Sequence, residues 1–322
     1  MNIIKKTISV VVACYNDEWA LPEMHDRITN TFKKIECDYE IIFVNDGSPD
    51  NSEKVLEQIC LKDPKTSAIF HSRNFSSQNA FTSGMSQAIG DAVVLLDGDL
   101  QDPPELIEQF VKKWLEGFDV VYGTRTKREA TGFMNFAYKL FYRIFSKLSY
   151  IKIPFDAGDF SLMDKKVVKA INTTAERDRF IRGLRAWVGF RQTGIPYKRP
   201  ARKFGKTTNS FIKNIRWAKK GIFSFSFLPL EFISYLSYFL VLLSLFAIIF
   251  YFVFYFMNPG APRGTTTIIV LVLFFGGIQL LSISILSEYI GKILEETKKR
   301  PHYIIKKILN DHRKDGKEIG HF

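Results

Sequence analysis

The chain has 322 residues, more than one average domain, and its 46% of hydrophobic residues is high for a soluble protein with 24% charged residues. The apolar residues must therefore be concentrated in particular segments. The formal net charge of +12 indicates an anionic partner, such as a nucleic acid, a phosphorylated substrate or a membrane surface. The three scattered cysteines have no C-x-x-C spacing, which argues against a disulfide framework or a zinc site and favours a reducing compartment.

Short apolar runs alternate with segments of helical spacing through the first part of the chain. The apolar, mostly β-branched runs predict strands at residues 7–13, 39–45, 66–71, 92–96 and 119–122. The segments between them predict helices at residues 21–34, 53–61, 79–89 and from the turn after residue 96 to about residue 116. This alternation predicts an α/β fold with a mostly parallel sheet and helices on both faces.

Two carboxylates, Asp97 and Asp99, follow the strand at residues 92–96 directly. Ligands of an open α/β sheet bind beyond the carboxyl ends of its strands, so these acids are placed where a ligand would lie. Two neighbouring carboxylates repel each other unless a cation lies between them, and oxygen ligands suit Mg²⁺ or Mn²⁺. The amide of Gln101 could add a neutral oxygen. The alternative is an ordinary acidic turn, because Asp, Gly and Pro all favour turns.

Nucleotide-binding motifs of two common kinds are missing. No G-x-G-x-x-G follows the first strand, and no G-x-x-x-x-G-K-[ST] is present, which argues against a dinucleotide-dependent oxidoreductase and a P-loop. The predicted strand ends instead carry Tyr15 and Asp46, together with the acid pair after the fourth strand. These residues provide an aromatic ring to stack on a base, an acid to bind a base or ribose, and two carboxylates to hold a metal ion that binds a pyrophosphate.

From residue 132 the chain changes character and becomes richer in aromatic and basic residues. Residues 132–149 and 211–225 are basic, Phe-rich and amphipathic, which favours helices at a membrane surface over helices packed on the sheet. Residues 232–257 and 265–287 are uncharged and long enough to cross a bilayer of about 30 Å. Because Lys and Arg are concentrated on both flanks, the positive-inside rule places both flanks in the cytoplasm. A buried hairpin in a protein core is the alternative.

Seven motifs in this order resemble those of the family 2 inverting glycosyltransferases with the GT-A fold, and in particular the polyprenyl-phosphate branch with dolichyl-phosphate mannose synthases and bactoprenol glucosyltransferases. They are YNDE at 15–18, NDGSPDNS at 45–52, LLDGDLQDPP at 95–104, YGTR at 122–125, AGDFSLMDKKVV at 157–168, RFIRGLRAWVGF at 179–190 and RKFGKTTNSF at 202–211. The resemblance covers nearly the whole chain. It departs at Ala13, Asn45 and Gly98, none of which removes an acid that the chemistry needs.

The resemblance also implies roles for individual residues. It makes Asp97, Asp99 and Gln101 the site for Mg²⁺ or Mn²⁺ and for the donor diphosphate, and it places Asp159 near the sugar. The remaining roles are a nucleoside pocket of Tyr15, Glu18 and Asp46, an acceptor-phosphate site of Arg125 and Arg128, and a loop closing over the donor diphosphate with Arg202 and Lys206. Glu18 could equally be a helix N-terminal acid, Arg125 a surface cation and Asp159 a turn residue. Arg182 and Arg185, near Trp187, are further candidates.

The implied reaction transfers a hexose, with UDP-glucose as the favoured donor, to the phosphate of a polyprenol such as undecaprenol, with inversion. GDP-mannose and UDP-amino sugars remain alternative donors. A processive polysaccharide synthase is less favoured, because the Q-x-x-R-W of such enzymes is missing. A non-catalytic, membrane-anchored scaffold that binds nucleotide sugars is the alternative from another class. Nucleic acid is not an expected partner, because the positive charge lies beside the spans, where anionic lipid is nearer.

The predicted organisation has three parts. Residues 1–228 form a cytoplasmic catalytic domain that includes both interfacial helices, residues 229–290 form a transmembrane hairpin, and residues 291–322 form a basic cytoplasmic tail. We expect an integral protein of the bacterial inner membrane with both termini in the cytoplasm. A homo-oligomer, of which a tetramer is one form, is expected, with the tail as a candidate oligomerisation arm.

Overall fold

The computed structural model describes residues 6–126, 157–200, 226–257 and 264–313. Within these ranges eight strands form one sheet: β1 (Thr7–Cys14), β2 (Asp38–Asn45), β3 (Thr66–His71), β4 (Ala92–Asp97), β5 (Val120–Arg125), β6 (Ala157–Asp164), β7 (Gln192–Tyr197) and β8 (Ile305–Leu309). The helices are α1 (Leu21–Phe32), α2 (Ser52–Lys62), α3 (Ser77–Gln87), α4 (Ile107–Leu115), α5 (Lys165–Asn172), α6 (Ile181–Trp187), α7 (Leu228–Met257) and α8 (Thr265–Thr297). A single 3-10 turn, Pro104–Leu106, precedes α4.

The strand order in the sheet is β7-β5-β6-β4-β1-β2-β3-β8. The pairings of β1 with β2 and β4, of β2 with β3 and of β5 with β7 are parallel. β6 runs antiparallel to β4 and β5, and β8 runs antiparallel to β3. The sheet is therefore mostly parallel, as predicted, and six of its strands point their carboxyl ends toward the same edge.

Two hydrophobic layers cover the two faces of the sheet. Alternate residues of β1 point to opposite faces, so that Val10 and Val12 pack with α1, α2 and α4 while Val11 packs with α3, α5 and α6. The central strands are buried on both faces, which explains why they have continuous apolar runs in place of alternating ones. The predicted arrangement of helices on both faces is confirmed, and together with the sheet it gives the predicted GT-A type architecture.

Several predicted boundaries need correction. The helix expected at residues 79–89 spans Ser77–Gln87, and the strand expected at residues 119–122 spans Val120–Arg125. The predicted basic tail contains β8, which completes the sheet beside β3. The interfacial helices predicted at residues 132–149 and 211–225 lie outside the described residues.

Two long helices, α7 and α8, precede β8 in the chain. Within α7 and α8, Leu228–Phe254 and Val270–Thr297 are long and apolar enough to cross a membrane by length and composition. α8 continues ten residues beyond the predicted end of the second span, residue 287. The most apolar parts of both helices are exposed, so the structure does not have the buried core hairpin that was the alternative interpretation.

Candidate active site

The functional candidates of the sequence converge on one edge of the sheet. β1, β2, β4 and β5 end there, and because β6 runs antiparallel to its neighbours, its first residues lie at that same edge. Asp97 therefore lies near Asp159, although the two residues are 62 positions apart in the chain. The topology brings the predicted metal, nucleotide and sugar residues of the described chain to a common region.

The guanidinium group of Arg199 is surrounded by three aspartates, of which Asp97 ends β4 and Asp99 and Asp102 lie in the turn that follows. Arg199 Nη2 lies 3.9 Å from Asp97 Oδ2 and 3.9 Å from Asp99 Oδ2, and Arg199 Nε lies 3.7 Å from Asp102 Oδ1. These ion pairs are long in comparison with hydrogen-bonded pairs, which form at about 2.7–2.9 Å. Arg199 thus supplies a positive charge to the whole cluster and does not form a close pair with any one acid.

Burial and mutual repulsion raise the pKa values of two acids in this cluster. The surrounding protein atoms desolvate Asp97 and raise its pKa well above the usual range, the charges of Asp102, Asp99 and Asp159 raise it further, and Arg199 opposes them. Burial also raises the pKa of Asp102, against the opposing effects of Arg199 and of the Tyr197 hydroxyl. The cluster therefore favours any additional cation that can approach its oxygen atoms.

Tyr197, at the end of β7, connects Asp102 to Arg125. Its hydroxyl donates a hydrogen bond to Asp102 Oδ1, and it also hydrogen-bonds Arg125 at the end of β5. Burial lowers the pKa of Arg125, but Asp102 and Tyr197 outweigh burial and raise it overall. Arg125 is thus a half-buried, permanently charged group beside the acid cluster, which is different from the surface cation of the alternative interpretation.

The turn that carries Gln101 is strained and internally bonded. Leu100 has a φ of 60°, which is uncommon for a residue with a bulky side chain, and the Gln101 N–H donates to Asp99 Oδ1 at 3.1 Å. The side-chain amide of Gln101 donates to the carbonyl of Pro200 at 3.3 Å. Gln101 therefore connects the acid cluster with the segment that leads toward residues 202–211.

Tyr15 and Glu18 lie in the turn after β1, next to the turn after β2. The Tyr15 side chain is 38% exposed, and its N–H donates to Asp17 Oδ2 at 3.0 Å. Glu18 Oε2 accepts from the N–H of Asn51 at 2.8 Å, while the Glu18 N–H donates to Asp50 Oδ2 at 3.1 Å. Glu18 thus joins the two turns through bonds at the start of α2, in keeping with the helix-terminus alternative, whereas Tyr15 presents an available ring.

Asp46 is buried at the end of β2 and organises the turn after β3. Its Oδ1 atom accepts from the N–H of Phe75 at 2.9 Å and lies 2.8 Å from His71 Nδ1. The next residue, Gly47, has a φ of 65°, and a Cβ at this position would lie 2.4 Å from the carbonyl carbon of Arg73. Only glycine lets the two turns approach this closely, so the backbone requires glycine at position 47.

Asp159, near the start of β6, is held by two side chains from different helices. Gln78 Nε2 on α3 donates to Asp159 Oδ2 at 3.1 Å, and Arg182 Nε on α6 lies 3.3 Å from Asp159 Oδ1. Gln78 also accepts the N–H of Ile181 at 2.7 Å, which ties α3 to the start of α6. Oδ2 is hydrogen-bonded, whereas Oδ1 is buried beside the charge of Arg182 and has no hydrogen-bond partner among the described residues. Asp159 lies in β6 and is not the turn residue of the alternative interpretation.

Arg185, the other arginine of α6, is fully buried behind Asp159. It donates from Nη2 to the carbonyl of Gly158 at 3.3 Å and lies 4.9 Å from the centroid of the Tyr122 ring. Burial lowers the pKa of Arg185 to about 10, although Asp159 opposes the effect. Its burial makes Arg185 a structural counter-charge to Asp159, while Arg182 remains partly exposed.

A divalent cation fits the donor set of the acid cluster if other ligands complete it. The described residues include no group of three or more His, Cys, Asp or Glu side chains that could hold a metal ion by themselves. Mg²⁺ usually binds through one or two carboxylates, with water and substrate phosphates supplying the other oxygen atoms. Asp97 and Asp99 match that pattern, because they offer two carboxylates in a region with excess negative charge.

Three of the predicted site residues, Arg128, Arg202 and Lys206, lie outside the described residues. Conversely, four residues of the observed cluster were not predicted: Gln78, Asp102, Tyr197 and Arg199. Asp102 could have been found, because it lies in the same acidic turn as Asp99. Tyr197 and Arg199 come from a segment that only the pairing of β7 with β5 brings to the cluster. Gln78 lies on α3 and contacts Asp159 of β6.

Residues 9–171 match the family described as Glycosyl transferase family 2. The chain belongs to glycosyl transferase family 2. The protein is therefore a glycosyltransferase, and the family resemblance predicted from its motifs is confirmed.

Relatives in the same family align along almost the full length of this glycosyltransferase. It is 41% identical over 303 residues to the uncharacterized glycosyltransferase YkcC of Bacillus subtilis (strain 168), covering 93% of each chain. It is 36% identical over 306 residues to the prophage bactoprenol glucosyl transferase homolog of Escherichia coli (strain K12), covering 94% of this chain and 99% of that one. A third relative, the SfII prophage-derived bactoprenol glucosyl transferase of Shigella flexneri, is 37% identical over 303 residues, 93% of this chain and 97% of its own.

Proposed function

We propose that this glycosyltransferase transfers glucose from UDP-glucose to a polyprenyl phosphate such as undecaprenyl phosphate, with inversion at the sugar carbon. The names of two relatives, which align over more than nine-tenths of this chain, support the lipid acceptor and the sugar. The observation that carries the proposal is the acid cluster around Arg199, in a chain that continues into two exposed apolar helices. The acid cluster can stabilise a diphosphate leaving group through a bound cation, and the apolar helices suit a lipid acceptor.

The acid cluster would hold the cation that offsets the negative charge of the donor diphosphate. We propose that Asp97 and Asp99, with Gln101, hold Mg²⁺ or Mn²⁺ together with the donor diphosphate. When bound, such a cation neutralises the negative charge that develops on the departing nucleoside diphosphate. Arg199 already approaches the same carboxylates, so its guanidinium is placed to contact a diphosphate bound there. In this proposal Arg202 and Lys206 close over the diphosphate, and Tyr15, Glu18 and Asp46 form the nucleoside pocket.

The acceptor needs placement more than activation. A phosphate monoester has its second pKa at about 6, so at neutral pH its oxygen is already largely deprotonated and can act as the nucleophile. The planar guanidinium of Arg125 beside the cluster suits a phosphate, and we assign Arg128 the same role. In-line attack on the sugar carbon breaks its bond to the diphosphate oxygen, and the bond to the acceptor forms on the opposite face. Asp159, fixed by Gln78 and Arg182, would orient a sugar hydroxyl or the acceptor.

The proposal places the reaction at the cytoplasmic face of the bacterial inner membrane. α7 and α8 would cross the bilayer as a hairpin, with the catalytic domain and both termini in the cytoplasm and the segments at residues 132–149 and 211–225 at the membrane surface. The enzyme would act as a homo-oligomer, for which a tetramer is one arrangement. The exposure of the apolar side chains of both helices supports contact with lipid.

A transfer assay with the purified full-length chain tests the proposal. Radiolabelled UDP-glucose, a UDP-amino sugar and GDP-mannose are each offered with a short polyprenyl phosphate, with and without Mn²⁺, and the organic phase is counted. We expect label from UDP-glucose in the organic phase only when Mn²⁺ is present, and none with the Asp99→Asn variant. Label from another donor would correct the sugar. Label in an insoluble polymer would instead indicate a polysaccharide synthase, and wild-type transfer by Asp99→Asn would refute the metal assignment.

A further inference from the structure

The segment that follows α8 returns to the nucleotide side of the acid cluster. α8 ends at Thr297, and six residues later the ring of Tyr303 stacks on the ring of His71, with centroids 5.3 Å apart and an angle of 7° between the planes. The Tyr303 hydroxyl lies 2.9 Å from Ser86 Oγ on α3. The tail therefore contacts the end of β3, at the edge of the sheet where the functional residues converge, and also the last turn of α3.

His71 connects Tyr303 to Asp46, because it contacts both residues. It is buried at the end of β3, and its Nδ1 lies 2.8 Å from Asp46 Oδ1, the same oxygen that accepts the N–H of Phe75. Phe75 meets the His71 ring edge-on at a centroid distance of 5.8 Å. One oxygen of Asp46 is thus fixed by a histidine whose ring is itself fixed by stacking on the tail and by an edge contact with Phe75.

The tail is anchored on both sides of Tyr303. After Tyr303, β8 pairs with β3, and the Asn310 side-chain amide donates to the carbonyls of Cys60 and Thr66 at 2.8 and 2.9 Å. Before Tyr303, Glu296 of α8 accepts the N–H of Arg177 at 2.7 Å. Tyr303 is therefore held against His71 by a segment that is docked at both ends and cannot be treated as a loose tail.

We propose that Tyr303 and His71 are positioning residues for the donor nucleotide, and that they act through Asp46. The segment after α8 is then a structural part of the nucleotide-sugar site. The inference rests on the proposed function, in which Asp46 contacts the nucleoside. The physical reason is that an acid recognises a nucleoside only when its carboxylate is held in one orientation, and here both the ring plane of His71 and the carboxylate of Asp46 depend on the tail.

The test measures binding of UDP-glucose with Mn²⁺ by calorimetry, and the KM values for donor and acceptor, on the full-length chain in detergent. Tyr303→Leu removes the ring, and we expect it to weaken donor binding about three- to tenfold, the range that aromatic pair energies imply, with the acceptor KM unchanged. Tyr303→Phe keeps the ring and loses only the bond to Ser86, so we expect it to stay within about twofold of the wild type.

Two controls separate positioning from general destabilisation and from failure of the proposed function. Ile171→Val removes one buried methylene from α5, which costs about 0.5–1.5 kcal/mol of stability, and we expect it to lower the melting temperature without changing the donor constant. Unchanged donor binding in Tyr303→Leu, or equal changes in the donor and acceptor constants, would overturn the inference. A wild-type chain that binds no sugar nucleotide, or an Asp46→Asn variant that binds it normally, would instead show that the proposed nucleotide site is wrong.

Discussion

The Gln78→Glu variant tests whether the orientation of the Asp159 carboxylate matters for sugar transfer. It is designed to change that orientation while the region around Asp159 stays folded. Gln78 is buried, accepts the N–H of Ile181 at 2.7 Å and donates to Asp159 Oδ2 at 3.1 Å. The substitution keeps the acceptor for Ile181 but replaces the donor with a second carboxylate. Loss of a hydrogen bond to a charged group costs about 1.5–3 kcal/mol, which corresponds to about a 10- to 160-fold decrease in kcat/KM if the bond supports the transition state.

The assay is lipid-linked glucose transfer by the purified full-length variant, with its melting temperature as a control for folding. Two carboxylates this close share a proton more readily as the pH falls, and a protonated partner can again donate to Asp159. We therefore expect the deficit of Gln78→Glu relative to the wild type to shrink at lower pH. A folded variant with wild-type kcat/KM at neutral pH would refute the view that a fixed Asp159 carboxylate matters for transfer.

Two further predictions concern stability. Gly47→Ala forces a left-handed backbone on a residue with a Cβ and places that atom 2.4 Å from the carbonyl carbon of Arg73. We expect a loss of at least about 2 kcal/mol, seen as a fall of about 4–8 °C in thermal unfolding, and an unchanged melting temperature would show that the two turns can separate freely. Burial, aided by Arg179 and Arg177, lowers the pKa of His302 to about 4, below its unfolded value of about 6.5. As the pH falls through this window the unfolded chain binds a proton that the folded chain does not, so stability should decrease, and His302→Gln should flatten that decrease in melting curves at pH 7 and 5. Parallel curves for the two proteins would contradict the assignment.

The part of the acid cluster that adjoins β4 in the chain could be predicted from the sequence. β4 and its turn are adjacent in the chain, so a buried apolar run followed by Asp97 and Asp99 was enough to place two carboxylates at the edge of a sheet. The same reasoning placed Asp46 beyond β2. These predictions depend on strand period and on the rule for carboxyl ends of parallel strands, both of which can be recognised in short segments.

Arg199 and Tyr197 could not be placed in this way. They reach Asp102 because β7 pairs with β5 at the edge of the sheet, and β7 contains Gly194 and Pro196, which in a sequence favour a turn over a strand. Pro196 is tolerated because β7 is an edge strand. Asp159 was placed near the sugar only through the family motif, since nothing in its own segment shows that β6 runs antiparallel to its neighbours.

The pairing of β8 with β3 joins residues that lie far apart in the chain, since Ala68 pairs with Leu309. During synthesis β3 is made early, but the strand that covers it emerges only after both long apolar helices. Until then the open amide and carbonyl groups of β3 are available to any other extended chain. Ribosome-bound or truncated chains that stop before residue 305 should therefore be the species most prone to aggregate.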